Sequence, residues 1–160
     1  PEIAEKEVNG NNKSIQKAKK YAQEGKLVDA EVEFSKALIN SPTGDDLLSY
    51  ADFLTITGQL NKALVMIHRA IDIANNSANS LLKSASLTYK GNILQTQGDL
   101  EGAEEMYKKA LEINEKLGRL EGMAINYGNI GIVLQTQRDS DNSCSFLLDV
   151  SFAKIRHGLS

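Results

Sequence analysis

The strings GKLVDA at 25–30, GQLNKA at 58–63 and GDLEGA at 98–103 repeat one pattern: Gly, any residue, Leu, two of any kind, Ala. A chain that repeats itself on this scale is built from copies of one supersecondary unit, each burying its apolar face against the next. The first two strings start 33 residues apart and the next two 40 apart. A second alanine follows each one, at Ala37, Ala70 and Ala110. Four places after the first alanine stands a large residue: Phe34, Ile67 or Tyr107. LQTQ also occurs twice, at 94–97 and 134–137, with the same 40-residue separation.

The spacing is that of a helix. Leu27, Ala30, Phe34, Ala37 and Leu38 fall on one face, and Leu100, Ala103, Tyr107, Ala110 and Leu111 repeat it. Alanines on that face let two helix axes approach, while the large residue fills the space beside them. The glycine before each pattern ends the preceding helix in the left-handed conformation. Upstream lies another helical pattern, as in Ala18, Tyr21 and Ala22 before Gly25. Each unit therefore reads helix, tight turn, helix, short loop. Two prolines in 160 residues suit a chain with this much helix.

These motifs resemble the tetratricopeptide repeat, over roughly residues 11 to 137. In the first unit Ala18, Tyr21, Ala30, Phe34, Ala37 and Pro42 match the family pattern. In the second, Ala51, Leu54, Ala63, Ile67 and Ala70 match, with Asn75 in place of the closing proline. The third keeps Gly91, Leu94, Gly98, Ala103, Tyr107 and Ala110; the fourth keeps Tyr127, Gly131 and Leu134. The fourth turn departs from the pattern: RDSDNS puts Arg138 where Gly is expected and Ser143 where Ala is expected. EINEKLGRLEG at 112–122 looks like the longer linker of kinesin light chain and G-protein-regulator types of these repeats, with first helices lengthened at their starts.

The resemblance implies an all-α, right-handed solenoid of about eight stacked helices in antiparallel pairs. Residues 1–10 read as the end of a preceding repeat helix or a linker, followed by units at 11–43, 44–83, 84–123 and 124–160. Phe146, Leu147, Val150, Ala153 and Ile155 fit a divergent second helix at 141–157 that caps the stack, with a disordered tail as the alternative.

Composition narrows the function classes. A formal charge of −3 and a pI near 5.4 count against nucleic acid as a partner. A single cysteine allows no internal disulfide, and no apolar run approaches the roughly 18 to 20 residues that span a bilayer. No membrane attachment is expected, and the compartment is read as cytoplasmic. The chain carries no HExxH, no CxxC and no phosphate-cradling glycine loop, so no catalytic residue, metal or cofactor is expected. His68 beside Ile67 reads as a surface or boundary histidine, and the Cys144 and His157 pair as no nucleophile and base. Lys13, Lys17, Lys19 and Lys20 read as a solvated face, and Glu101, Glu104, Glu105, Lys108 and Lys109 as i, i+3 and i, i+4 pairs.

Binding of a protein or peptide remains. In the family the first helices of successive units line the concave surface. Carried over, that surface includes Gln16, Lys19, Gln23, Leu48, Ser49, Asp52 and Ile56, then Thr88, Tyr89, Asn92, Gln95 and Thr96, then Ile125, Gly128, Asn129, Ile132 and Gln135. The partner site is expected at Lys19, Gln23, Asp52, Tyr89, Asn92, Gln95, Thr96, Gly128, Asn129, Ile132 and Gln135, centred on Asn92 and Asn129. Uncharged amides donate and accept at once, which suits the backbone of an extended peptide. The competing account makes both asparagines structural. Chaperone-tail receptors of the family use a clamp of Lys, Asn and Arg. Here those places hold Ile15, Lys19, Ser49, Ala85 and Tyr89, or Leu48, Asp52, Tyr89, Ile125 and Asn129 one unit later, so that role is not expected. An RNA-binding helical repeat and a self-assembling module stay as alternatives, with self-association left open.

Overall fold

A computed structural model describes the backbone of residues 2–39 and 41–156, with side chains over 10–39 and 41–141. Among these residues there are seven helices and no strand. They are α1 (Glu2–Gln23), α2 (Leu27–Ala37), α3 (Gly44–Ile56), α4 (Leu60–Asn76), α5 (Ser80–Thr96), α6 (Leu100–Lys116) and α7 (Leu120–Arg156). Each helix packs mainly on its chain neighbours, and α1, α3 and α5 also touch in succession as the first helices of their units.

One turn chemistry serves almost every corner. At Gly25, with φ of 74°, the Lys26 N–H donates to the Tyr21 carbonyl at 2.9 Å and the Gly25 N–H to that of Ala22 at 3.1 Å. This pair of bonds closes a helix by satisfying its last carbonyls, and it needs a left-handed residue at the corner. The same pair recurs at Gly58, Gly98 and Gly118, all with positive φ. At the α4–α5 corner Ala78 takes the conformation at φ of 50°, with Asn79 N–H bonded to the Ala74 carbonyl at 2.9 Å. The corner before α3 differs. Thr43 accepts from the Asp46 N–H at 3.2 Å while the Asp46 carboxylate accepts from the Thr43 N–H at 3.0 Å, a reciprocal cap that starts α3 just after Pro42.

The repeated residues form the core. Ala30, Ala63, Ala103, Ala70 and Ala110 are fully buried, as are Ile67 and Tyr107, with Phe34 and Ala37 nearly so. Phe34 stacks on Tyr50 with ring centres 5.2 Å apart and tilts against Phe53 at 5.1 Å. Gly91 lies under the Tyr107 ring so closely that a Cβ would come within 2.5 Å of it. Adding bulk at such a crossing costs about 1 to 3 kcal/mol. We therefore expect Ala63→Leu and Ala103→Leu to lower the urea midpoint clearly, with Glu104→Ala on the outer surface leaving it near wild type. Equal midpoints for all three would contradict the packing.

Three expectations are corrected. The 40-residue spacing is not taken up by a linker: 112–122 is mostly helix, with α6 running to Lys116 and α7 starting at Leu120. The segment 2–10 is continuous with α1 rather than a separate helix end. The turn expected at 138–143 does not form, and α7 passes straight through it. Arg138 cannot take the left-handed corner at low cost as the four glycines do, and 132–156 contains neither Gly nor Pro to stop the helix. Thr136 and Ser140 hydroxyls bond to carbonyls one turn back, at 2.9 Å each, as they do inside a helix. The side chains assigned to the cap at 141–157, from Phe146 to Ile155, lie outside the described residues, as does Cys144.

Candidate functional site

Among the described residues, two clefts opening on the first helices include expected site residues. The larger, about 520 Å³, opens between α1, α2 and α3. Its apolar lining is Leu27, Phe34, Phe53 and Ile56, and its polar rim is Lys19, Gln23, Ser49, Asp52 and Thr57. Phe34 and Phe53 are held by their ring contacts, while Leu27 and Ile56 remain 48% and 78% exposed. The second, about 240 Å³, opens between α5, the α6–α7 corner and the start of α7. Ser84, Thr88, Tyr89, Asn114, Gly122 and Asn126 contribute to its walls.

Electrostatics links the two. Burial pushes the Tyr89 phenol up, and the Asp52 carboxylate pushes it further, so Tyr89 of the second cleft is within electrostatic reach of the rim of the first. On α1, Lys17 is tied to Glu33 of α2 at 2.9 Å, while Glu33 also accepts from Lys36 at 2.8 Å. Hydrogen bonds from Lys36 and then Lys17 hold the Glu33 carboxyl below the usual range. Lys19, two residues on, remains exposed at the cleft.

The expected site residues separate into groups. Lys19, Gln23 and Asp52 come together at the first cleft, and Tyr89 lines the second. Asn92, which is exposed, and Gln95, which is half-buried, are tied to the next helix: both amide oxygens accept from the Tyr107 hydroxyl, at 2.8 and 2.9 Å. One phenolic proton cannot serve both fully, so the pair shares it or one amide turns to donate to the phenol oxygen. The Thr96 hydroxyl donates back to the Asn92 carbonyl at 2.8 Å. Gly128 has open space where a Cβ would sit, Asn129 is half-buried, and Ile132 and Gln135 are exposed on α7. Of the expected centre, Asn92 is exposed and bonded to Tyr107 of α6, and Asn129 is half-buried on α7.

A tetratricopeptide repeat profile matches residues 46–116 and again 84–143, together more than half of the chain. The chain belongs to the tetratricopeptide repeat family. Tetratricopeptide repeats generally mediate protein–protein interaction and are typically non-enzymatic. The matched span covers α4, α5 and α6 and most of α3, and the α1–α2 pair ahead of it packs with the same buried alanines and aromatic. Comparison with curated proteins gives no match. Among the described residues, no helix of this tetratricopeptide array is long and apolar enough to cross a membrane.

Residue-by-residue reading named Thr88, Tyr89 and Ile125 of the second cleft but missed Asn114 and Asn126. Asn114 and Asn126 are only 3% and 1% exposed. Asn126 is satisfied: its oxygen accepts from Thr88 at 3.0 Å and its nitrogen donates to the Gly122 carbonyl at 2.9 Å. The Asn114 side chain has no hydrogen-bond partner among the described residues. Its amide opens on the cleft, since no buried side-chain nitrogen or oxygen among the described residues is left without a partner. Setting 74–86 against 114–126 exposes the site, because the earlier copy has Ala74 and Leu82 where the later has Asn114 and Gly122.

Proposed function

We propose that the chain is a scaffold that holds a segment of a partner protein along the face of its first helices, anchored at the cleft between α1, α2 and α3. The observation that carries this is the composition of that cleft. Phe34 and Phe53 form an apolar floor fixed by the core, and Lys19, Gln23 and Asp52 stand around it as a polar rim of both charges. Such a site takes a large apolar side chain and orients it by polar contacts at the mouth. Tyr89, Gly128, Asn129, Ile132 and Gln135 extend the same face towards α7, with Asn92, Gln95 and Thr96 beside Tyr89 on α5. The −3 charge supports a protein rather than RNA as the occupant.

Charge reversal at the rim tests the reading. Lys19→Glu and Asp52→Lys each keep an exposed position and leave the core untouched. Affinity for a partner recovered by pull-down is expected to fall tenfold or more, about 1.4 kcal/mol, with an unchanged melting temperature. Full affinity in both variants would contradict the anchoring role.

One observation favours self-association as a second reading. Tyr127, Ile132 and Leu134 on α7 are 55%, 53% and 49% exposed, and Gly131 has nothing where Gly91 has the Tyr107 ring. Sedimentation across a concentration series decides it: a single monomeric species throughout removes this reading.

A further inference from the structure

The α3–α5 and α5–α7 junctions occupy the same place in successive units, forty residues apart, and they are filled differently. At the first, Leu82 packs over Gly44, where a Cβ would come within 2.2 Å of its side chain, and Ala74 and Leu48 complete an apolar contact. At the second, Gly122 stands for Leu82, Asn114 for Ala74, Thr88 for Leu48 and Ser84 for Gly44. Losing the leucine leaves a cleft of about 240 Å³, and every accompanying change makes its wall more polar. Alanine is sufficient for packing at this place, since Ala74 is 1% exposed in the earlier copy. An asparagine there brings a carboxamide that the fold does not need.

Three other polar walls, Ser84, Thr88 and Asn126, are engaged. Ser84 donates to the Ala110 carbonyl at 3.2 Å. The single Thr88 hydroxyl proton is shared between the Ser84 carbonyl at 3.1 Å and the Asn126 oxygen at 3.0 Å, and the Asn126 nitrogen donates to the Gly122 carbonyl. Asn114 and the Tyr89 phenol each retain a donor and an acceptor, and the Asn114 amide lies against Gly122 so closely that a Cβ there would come within 2.7 Å of it. Its complement is a group that presents an acceptor and a donor side by side. A carboxylate lacks the donor, an ammonium lacks the acceptor, and an apolar side chain lacks both. Because Asn114 is recessed at 3% exposure, a side chain reaches it where a main chain crossing the surface does not.

We propose that this cleft is a specificity pocket for the carboxamide of an asparagine or glutamine side chain in the bound partner segment. The proposal rests on the groove reading above and names what the α5–α7 end of the groove selects. Its pairing is reciprocal: the Asn114 amide donates to the incoming carboxamide oxygen and accepts from its nitrogen. Arg119 and Glu121 at the rim carry opposite charges and leave the pocket without a net preference for an ion.

The probes are short glycine peptides with a central Gln, Glu or Leu, acetylated and closed by an N-methylamide so that only the Gln peptide carries a primary carboxamide. The full chain labelled with ¹⁵N reports on the Asn114 side-chain amide and the Gly122 backbone amide. Saturable shifts of both by the Gln peptide are expected, with at least tenfold weaker binding of the Glu and Leu peptides. Asn114→Ala, which reproduces the Ala74 arrangement, is expected to abolish the Gln preference. Equal shifts from all three peptides, no shift at Asn114, or a Gln preference that survives Asn114→Ala each overturn the pocket. The wild-type selectivity stands as a readout even if the variant folds poorly. Perturbation of Ile56 or Thr57 in the larger cleft without Gln selectivity removes the pocket and leaves the groove reading standing, which the Lys19 and Asp52 variants judge separately.

Discussion

Tyr107→Ala is expected to destabilise the chain by about 3 to 5 kcal/mol, the range for truncating a buried aromatic. Tyr107 is fully buried between α6, α5 and α7, in a cluster with Ala103 and Val133. Removing it leaves a cavity that Gly91 cannot fill, because Gly91 has no side chain to move into it. Tyr107→Phe keeps the ring and loses only the bonds to Asn92 and Gln95, for which about 0.5 to 1.5 kcal/mol is expected. The same phenol gives a pH signature. Burial pushes its pKa from 10.0 to about 12. Above pH 10 the unfolded chain releases this proton while the folded chain keeps it, so the unfolded state binds fewer protons and stability falls as pH rises. The contribution is whole below pH 10 and is lost by about pH 12. Urea midpoints across that window are expected to fall less steeply in Tyr107→Phe, with Tyr50, Tyr89, Tyr127, Lys17 and Lys26, all also raised, contributing to the remaining slope.

Phe34→Ala is expected to cost a similar 3 to 5 kcal/mol, on the order usual for this truncation. Phe34 is 1% exposed and contacts two other rings, Tyr50 and Phe53, so its loss removes apolar burial and the stacking together. It differs from Tyr107 in one respect: Phe34 also floors the larger cleft. Phe34→Leu therefore separates two roles. It is expected to retain most of the stability, since the volume is largely kept, while weakening partner binding more than its modest stability loss explains. A binding constant that follows stability alone in the Leu and Ala variants would make the cleft floor purely structural.

Much of this fold was legible because its constraint recurs. Two helices that cross closely need alanine at the contact and bulk beside it, and Ala30, Ala63 and Ala103 state that requirement three times in register. The corners at Gly25, Gly58 and Gly98 were legible for the same reason. The corner at Ala78 was not, since alanine carries no mark of the left-handed conformation it adopts at φ of 50°. Continuation of α7 past Arg138 was hidden by the strength of the repeat itself, which supplied a turn where the local residues supply none. The site divides in the same way. Lys19, Gln23 and Asp52 were carried over from the concave face that the family resemblance implies, and they meet at the rim of one cleft. The bond of Asn92 was not legible, because its partner Tyr107 approaches from a different helix. The second cleft is a property of two junctions compared, Leu82 against Gly122, and no single copy of the repeat reveals it.

The binding face is tested most directly by where a bound partner touches the chain. A photo-crosslinking side chain is placed at Gln23 or Ser49 on the rim of the larger cleft, and in separate samples at Arg69 or Lys109, which are exposed on the second helices α4 and α6. With the recovered partner at saturation, irradiation is expected to give covalent adducts from Gln23 and Ser49 and background from Arg69 and Lys109. Adducts from the second-helix positions, with none from the cleft rim, would contradict the first-helix face as the site of binding.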